Sequence, residues 1–117
     1  MYRDKITCCY LYVITKYGYP PPAEQTLNFI REMKDLGFRS IELEGIREKH
    51  LLEMYNVRFD IKDLIRELDL SVPYFCTVLP GLSSAEKSER GHNLKIFEKG
   101  GLKGSPFSIK RSFLILP

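Results

Sequence analysis

Two uncharged runs, rich in β-branched and aromatic residues, limit the fold more than any other feature of this sequence. They are Ile6–Ile14 (ITCCYLYVI) and Val72–Leu79 (VPYFCTVL). Runs of this kind are typical of strands that are buried on both faces of a parallel sheet. Between them, Arg39–Gly45 (RSIELEG) alternates apolar with acidic residues, which predicts a further strand with one polar face. The sequence therefore predicts a sheet of about three strands.

Helical patterns connect the predicted strands. From Pro22 the apolar residues recur at three-residue steps, and Gly37 follows where a left-handed cap is expected. These apolar positions are Leu27, Ile30, Met33 and Leu36. Residues 48–55 predict a short helix, Asp60 opens a second one with a capping-box pattern, and residues 85–99 predict a third. The resulting order β-α-β-α-β-α favours an α/β fold with parallel strands and right-handed crossovers.

Charge and composition narrow the classes of partner. The net charge of +3 comes entirely from residues 101–117, which hold Lys103, Lys110 and Arg111 and no acidic residue. The remaining residues are balanced, so no basic face is predicted and we expect no nucleic-acid partner. No apolar run is long enough to span a membrane, and we expect no secretory signal before the first strand. With an odd number of cysteines, we expect reduced thiols in a cytoplasmic protein.

The end of the sequence differs from the rest. Residues 1–100 carry the three predicted βα units, whereas residues 101–117 begin with a glycine-rich breaker and end in the apolar stretch Phe113–Pro117. This tail is interpreted either as a fourth strand or as a non-native terminus produced by a shifted reading frame or an altered splice. The absence of acidic residues favours the second interpretation.

Three segments carry a resemblance to a known family. The run YLYVITKYGYPPPAEQTLNFIREMKDLGFRSIELEGI resembles the opening of xylose isomerase-like TIM-barrel proteins, the sugar phosphate isomerase/epimerase group. VPYFCTVLPGL resembles their third strand, and HNLKIFEKG resembles the start of their third helix. The likeness covers about residues 5–100, and its most specific part is the LGF-x-x-IELEG junction between a helix and the next strand.

The resemblance implies a partial (β/α)₈ barrel with an active site at the carboxyl ends of its strands. Intact family members isomerise or epimerise a sugar or sugar phosphate by moving a proton next to a carbonyl. They hold a divalent cation, Mn²⁺ or Mg²⁺, through Glu, Asp and His residues of later strands. Those strands have no counterpart among these 117 residues, so we expect this chain alone to hold neither a metal nor another cofactor.

Glu44 and Glu42 are the leading candidates for contact with substrate. Their spacing of two places both carboxylates on one face of a strand, opposite Ile41 and Leu43. In a barrel that face is the interior, where two carboxylates are costly unless they are paired or functional. Glu44 is the better candidate because it is nearer the carboxyl end of the strand. The alternative is a half-exposed strand with solvated acids.

Tyr12 and His50 complete the candidate substrate-binding set. Tyr12 ends the first predicted strand and offers a ring against which a sugar packs, although such a residue more often fills a core. His50 lies on the early turn of a helix after the second strand, where a histidine is more often on the surface. No histidine or cysteine has a partner at metal-ligand spacing, and Cys76 is expected to be a small buried residue.

Three functions follow from these expectations. The first is a fragment of a sugar isomerase or epimerase, inactive alone because a general base and a cation are both required. The second is a non-enzymatic fragment that self-associates, or docks onto a partner, through its open sheet edges. The third is a small α/β ligand-binding module with the tail as its fourth strand.

Overall fold

A computed structural model of the chain describes residues 6–100 and 111–115, with side chains described up to residue 98. Helices connect the described strands, two after each of the first and second strands and one after the third. In chain order they are β1 (Thr7–Cys8), α1 (Leu11–Tyr17), a 3₁₀ turn (Ala23–Gln25), α2 (Thr26–Asp35), β2 (Ser40–Ile46), α3 (Arg47–Asn56), α4 (Arg58–Glu67), β3 (Ser71–Val78), a second 3₁₀ turn (Pro80–Ser83), α5 (Lys87–Gly100) and β4 (Arg111–Ile115).

The strands form one sheet in the order β1-β2-β3-β4. Each neighbouring pair is parallel. The register aligns Glu42 with Tyr74, Leu43 with Phe75 and Glu44 with Cys76. The α/β class and the parallel strands predicted from the sequence are therefore confirmed. β4 covers Arg111–Ile115. It lies in the tail that is interpreted from the sequence either as a fourth strand or as a non-native terminus.

The predicted strand over Ile6–Ile14 is wrong for most of its length. Only Thr7 and Cys8 pair with β2, and the chain turns into α1 at Leu11. Tyr10 and Val13 are fully buried, and Tyr17 packs against the core from the same side of the helix. Their spacing of three and four is helical, so packing against α2 overrode the β propensity of the run.

The helix predicted from Pro22 is confirmed with corrections at both ends. It begins with the 3₁₀ turn at Ala23, and α2 proper starts at Thr26. Ile30 and Met33 are fully buried, as expected, but Leu36 is 60% exposed and lies outside the apolar stripe. Gly37 has a φ of 100°, the left-handed conformation that its position after α2 predicts.

The next two helices are longer than the sequence pattern indicates. Only Val57 separates α3 from α4, and α4 begins at Arg58 instead of Asp60. Ile61, Leu64 and Ile65 are buried, which confirms the apolar face expected for this helix. The third strand, β3, is also confirmed, and it starts one residue before its predicted beginning at Val72.

The described helices cover one face of the sheet. Ile41, Leu43 and Phe75 are almost fully buried, and they belong to one apolar cluster with residues of the helices. The helical members include Phe29, Met33, Leu51, Met54, Ile61, Leu64 and Ile96. On the opposite face Glu42, Glu44, Tyr74 and Cys76 are only half-buried. The sheet therefore has one apolar, helix-covered face and one more polar face.

None of the helices in the described part of the chain combines the length and apolar character that a membrane crossing requires.

Candidate functional site

The more polar side of the sheet, here called the helix-free face, is defined by Glu42, Glu44, Tyr74 and Cys76. These residues occupy alternate positions of β2 and β3, and the register places Glu42 beside Tyr74 and Glu44 beside Cys76. The prediction that both carboxylates share one face, opposite Ile41 and Leu43, is in agreement with this geometry. Neither carboxylate is fully solvated, because both residues are half-buried.

Glu44 has the most perturbed carboxyl group of the described residues. Burial, and in second place the nearby charge of Glu42, raise its pKa from 4.5 to about 7. Burial and the same two carboxylates also raise the pKa of the Cys76 thiol to about 11. At neutral pH the Cys76 thiol is therefore protonated, while Glu44 divides between its acid and its carboxylate. Glu44 can then both accept and donate a proton.

Glu42 is held by the backbone at the end of β1. The N–H of Tyr10 donates a hydrogen bond of 3.1 Å to Glu42 Oε1. A backbone donor stabilises the ionised form of a carboxylate. Glu42 thus has a fixed partner, whereas no described residue makes a hydrogen bond with the Glu44 side chain. Glu44 is the carboxyl group of the pair that is open to a ligand.

Tyr10 is a site residue that the sequence analysis missed. Its side chain is fully buried, and its hydroxyl has no hydrogen-bond partner among the described residues. Burial and, second, the charge of Glu44 raise the pKa of this hydroxyl. The hydroxyl therefore stays protonated, within electrostatic reach of Glu44. The apolar run around Tyr10 indicated a strand, and that concealed the turn that brings its backbone N–H to Glu42.

His50 lies at the carboxyl end of β2 but is buried, which corrects the expectation of a surface residue. Its side chain is only 3% exposed, because α3 packs it against the interior. The N–H of Ile46 donates to His50 Nδ1 at 2.9 Å, so the neutral ring carries its proton on Nε2. Burial lowers the pKa of His50 to about 4. His50 therefore caps the junction between β2 and α3 as a neutral ring.

Tyr12 does not lie with the two carboxylates. It belongs to α1, and its hydroxyl donates to Glu32 Oε2 of α2 at 3.1 Å. Tyr17 donates to the other oxygen of Glu32, and Lys16 Nζ lies 3.0 Å from Oε2. These contacts use Tyr12 to join two helices. The structure therefore separates Tyr12 from Glu42 and Glu44, and it gives the tyrosine a structural role.

Arg47 follows the end of β2 in a strained backbone conformation. Its φ is 62°, in the left-handed region that residues with a side chain rarely adopt. Its guanidinium carbon lies 5.8 Å from the centre of the Tyr19 ring. The strain places an exposed cation at the carboxyl end of β2, next to the junction capped by His50.

Within residues 6–98, no three side chains among His, Cys, Asp and Glu come together in a way that could hold a metal ion. The residues present therefore do not fit the cation that the family resemblance implies. The three cysteines are free thiols.

A groove lies beside β1 and is here called the β1-edge groove. It has a volume of about 520 Å³ and is lined mainly by apolar groups. Leu11 is 61% exposed and forms part of its wall. The lining residues are Thr7, Cys8, Cys9, Leu11, Tyr12, Thr15, Lys16 and Phe38. Thr7 and Cys8 of β1 form another wall of the groove, and within the described residues the strand partner of β1 is β2.

Comparisons with protein families, with curated proteins and with solved structures find no match for this chain.

Proposed function

We propose that this chain forms the first arc of a (β/α)₈ barrel of the sugar isomerase/epimerase type, in which Glu44 contacts the sugar. The observation that carries the proposal is the position of Glu44, half-buried beside Glu42 on the helix-free face of a parallel sheet. A sugar or sugar phosphate is the substrate class that the family resemblance implies.

The topology favours part of a barrel and not a doubly wound sheet. A doubly wound sheet has a point where the strand order reverses, and helices cover both of its faces. In this chain the strand order is sequential, β1-β2-β3-β4, and the described helices pack on one face. In a barrel the helices form an outer ring and the opposite face of the sheet becomes the interior. The helix-free face would then line that interior.

The chemistry of Glu44 supports proton transfer. Isomerisation or epimerisation of a sugar requires a group that removes a proton next to a carbonyl and returns it. Such a group works best when its pKa lies near the operating pH. Burial and the neighbouring Glu42 bring the pKa of Glu44 to about 7. Glu44 is also at the carboxyl-terminal part of β2, the end of the strands where barrel enzymes bind substrate.

Glu42 and Tyr10 would assist Glu44 in different ways. Glu42, fixed by the backbone N–H of Tyr10, contributes to keeping the pKa of Glu44 raised. The Tyr10 hydroxyl is fully buried, so Tyr10 assists through its backbone N–H, which fixes Glu42. In this proposal His50 and Tyr12 support the structure and do not contact the sugar.

The proposal assigns substrate contact, and not turnover, to this chain alone. Because the described side chains do not fit a cation site, we assign no step of the proton transfer to a metal held by this chain. We expect the purified chain to exchange no sugar hydrogen with solvent D₂O, with or without added Mn²⁺ or Mg²⁺. Turnover at the rate of an intact barrel would contradict this part of the proposal.

Sugar contact is tested by NMR titration of the ¹⁵N-labelled chain with D-fructose and with D-fructose 6-phosphate. We expect amide shifts in Glu42–Ile46 and Tyr74–Val78. The variant Glu44→Gln should weaken binding about tenfold or more, the loss expected when one hydrogen bond to a charged group is removed. Glu24→Gln, at an exposed acid in the 3₁₀ turn before α2, is the matched control and should bind normally.

Two results would overturn the proposal. One is the absence of shifts with either sugar at concentrations that saturate ordinary sugar-binding sites. The other is a set of shifts confined to the helix-covered face, with equal binding by Glu44→Gln and Glu24→Gln.

A further inference from the structure

We propose that two copies of this chain associate edge to edge, with β4 of each copy beside β1 of the other, and close a ring of eight parallel strands. The inference concerns assembly and goes beyond the proposed sugar chemistry. It would stand if the chain bound no sugar. The partner is a second copy of this chain.

Both edges of the sheet lack a strand partner within the described residues. There β1 pairs only with β2, and β4 pairs only with β3. Unpaired edge strands present rows of backbone N–H and C=O groups that another strand can satisfy. Barrels remove such edges altogether by closing the sheet.

A two-fold rotation satisfies both edges at once. All the strands of one copy run in the same direction. Rotation of one copy by 180° about the central axis of the barrel preserves the direction of its strands. β4 of one copy therefore meets β1 of the other in parallel. Each copy supplies four strands, and two copies supply the eight that close a barrel with its helices outside. The β4–β1 pairing between copies forms twice and leaves no sheet edge unpaired. The product is therefore a closed dimer and not a fibre.

The β1-edge groove is a suitable place for an incoming strand. It is lined mainly by apolar groups, and one of its walls is β1 itself. Leu11, 61% exposed there, would lose its contact with water when a strand covers it. The sequence of β4 (RSFLI) is mostly apolar after its first two residues, which fits such a surface.

The charges of the strands are complementary in the closed ring. β2 carries Glu42 and Glu44, and the register aligns Glu42 with Tyr74 and Tyr74 with Arg111 of β4. Around the ring, β4 of one copy would lie two strands from β2 of its own copy and two strands from β2 of the other. Acidic and basic strands therefore alternate around the ring.

The assembly is tested with the full chain by sedimentation equilibrium over a range of concentrations. We expect a reversible monomer–dimer equilibrium without larger species. Leu11→Lys should weaken the dimer at least tenfold, because it places a charge in the β1-edge groove. Leu36→Lys is the matched control, since Leu36 is 60% exposed at the end of α2 and is not among the residues that line the groove, and it should dimerise normally. Circular dichroism melts of both variants check that each one folds.

Hydrogen exchange gives a second, independent measurement. The amides of Thr7–Cys8 and Arg111–Ile115 that point away from β2 and β3 have no strand partner in a single copy. These amides should be protected at concentrations where the dimer forms and should lose that protection on dilution. The proposal is overturned by a monomer at every concentration, by polymers that grow without limit, or by a dimer that Leu11→Lys and Leu36→Lys weaken equally. It is also overturned if protection at these two edges does not depend on concentration.

Discussion

The backbone N–H of Tyr10 donates a hydrogen bond to the side chain of Glu42 across the gap between β1 and β2. The contact begins where the pairing of the two strands ends, after Cys8 and Ile41. At this position a hydrogen bond from the backbone to a side chain takes the place of a hydrogen bond between the two strand backbones. It fixes the Glu42 carboxylate, while the Glu44 carboxylate stays open to a ligand. The unequal roles proposed for Glu42 and Glu44 follow from this single contact.

Glu44→Gln should make the chain more stable at pH 8 than the wild type. In the unfolded chain the carboxyl has a pKa near 4.5, and burial raises it to about 7 in the folded chain. The folded state therefore binds the proton more tightly, and the wild type loses stability as pH rises from about 4.5 to 7. The full shift corresponds to about 3 kcal/mol, which solvent screening of a half-buried group reduces to about 1–2 kcal/mol.

Urea unfolding of the wild type and Glu44→Gln at pH 5 and pH 8 measures this effect. The difference in unfolding free energy between the two proteins should be small at pH 5 and should favour the variant at pH 8. A difference that is the same at both pH values would mean that Glu44 is not perturbed in the folded chain.

His50→Phe should have the opposite dependence on pH. Burial lowers the pKa of His50 from 6.5 to about 4, so the unfolded chain binds the proton more tightly. The wild type therefore loses about 2–3 kcal/mol as pH falls from 6.5 to 4, and the variant lacks that loss. At pH 7 the variant should be about 1–3 kcal/mol less stable, because the N–H of Ile46 loses its acceptor.

Unfolding of His50→Phe is compared with that of His92→Gln at pH 7 and pH 5. His92 is exposed and bonds to Glu48, so this control should keep the acid sensitivity of the wild type. Equal acid sensitivity of the wild type and His50→Phe would show that His50 is not the buried neutral ring described above.

Gly45→Ala tests the close packing between β2 and α3. A Cβ at this position would lie about 3.2 Å from Phe75 Cζ and would overlap the Leu51 side chain. Both neighbours are almost fully buried, so we expect a loss of about 1–3 kcal/mol. Gly91→Ala in α5, where nothing lies within 4 Å, should instead stabilise the chain by about 0.5–1 kcal/mol. Thermal melts should show opposite shifts, and two shifts of the same sign would contradict the packing.

At position 47 we expect glycine to stabilise the chain more than alanine, which is the reverse of their usual order in a helix. The φ of 62° at Arg47 suits glycine, and an L residue pays about 1–2 kcal/mol in this conformation. Arg47→Gly should therefore be more stable than Arg47→Ala by about 1 kcal/mol, since both variants lose the Tyr19 contact. At Lys49, in the same helix, the alanine variant should be the more stable one by about 1 kcal/mol. Arg47→Ala melting above Arg47→Gly would contradict the strained backbone.

The sequence predicted the middle of the fold better than its beginning. The alternation of Ile41, Glu42, Leu43 and Glu44 has a period of two, which only a strand with two different faces explains, and the structure has that strand. The run Ile6–Ile14 has no clear period. Its apolar residues fit a strand as well as a helix, and contacts with α2 decide between the two.

Two site residues depend on contacts that no sequence pattern contains. His50 is buried by the packing of α3, and its Nδ1 accepts a hydrogen bond from the N–H of Ile46. A histidine on the first turns of a helix gives no sign of this in the sequence. The same holds for Tyr10, whose backbone reaches Glu42 across 32 residues. A spacing-based argument finds pairs such as Glu42 and Glu44 and misses partners that are brought together by a turn.

The shared environment of Glu42 and Glu44 is measured most directly by the pH titration of the Glu44 side-chain carboxyl in ¹³C NMR. We expect a midpoint near 7 in the wild type. In Glu42→Gln the midpoint should move downward but stay above 4.5, since burial is the larger cause of the shift. A midpoint near 4.5 that Glu42→Gln does not change would show two solvated, independent acids, and it would contradict an interior face on this sheet.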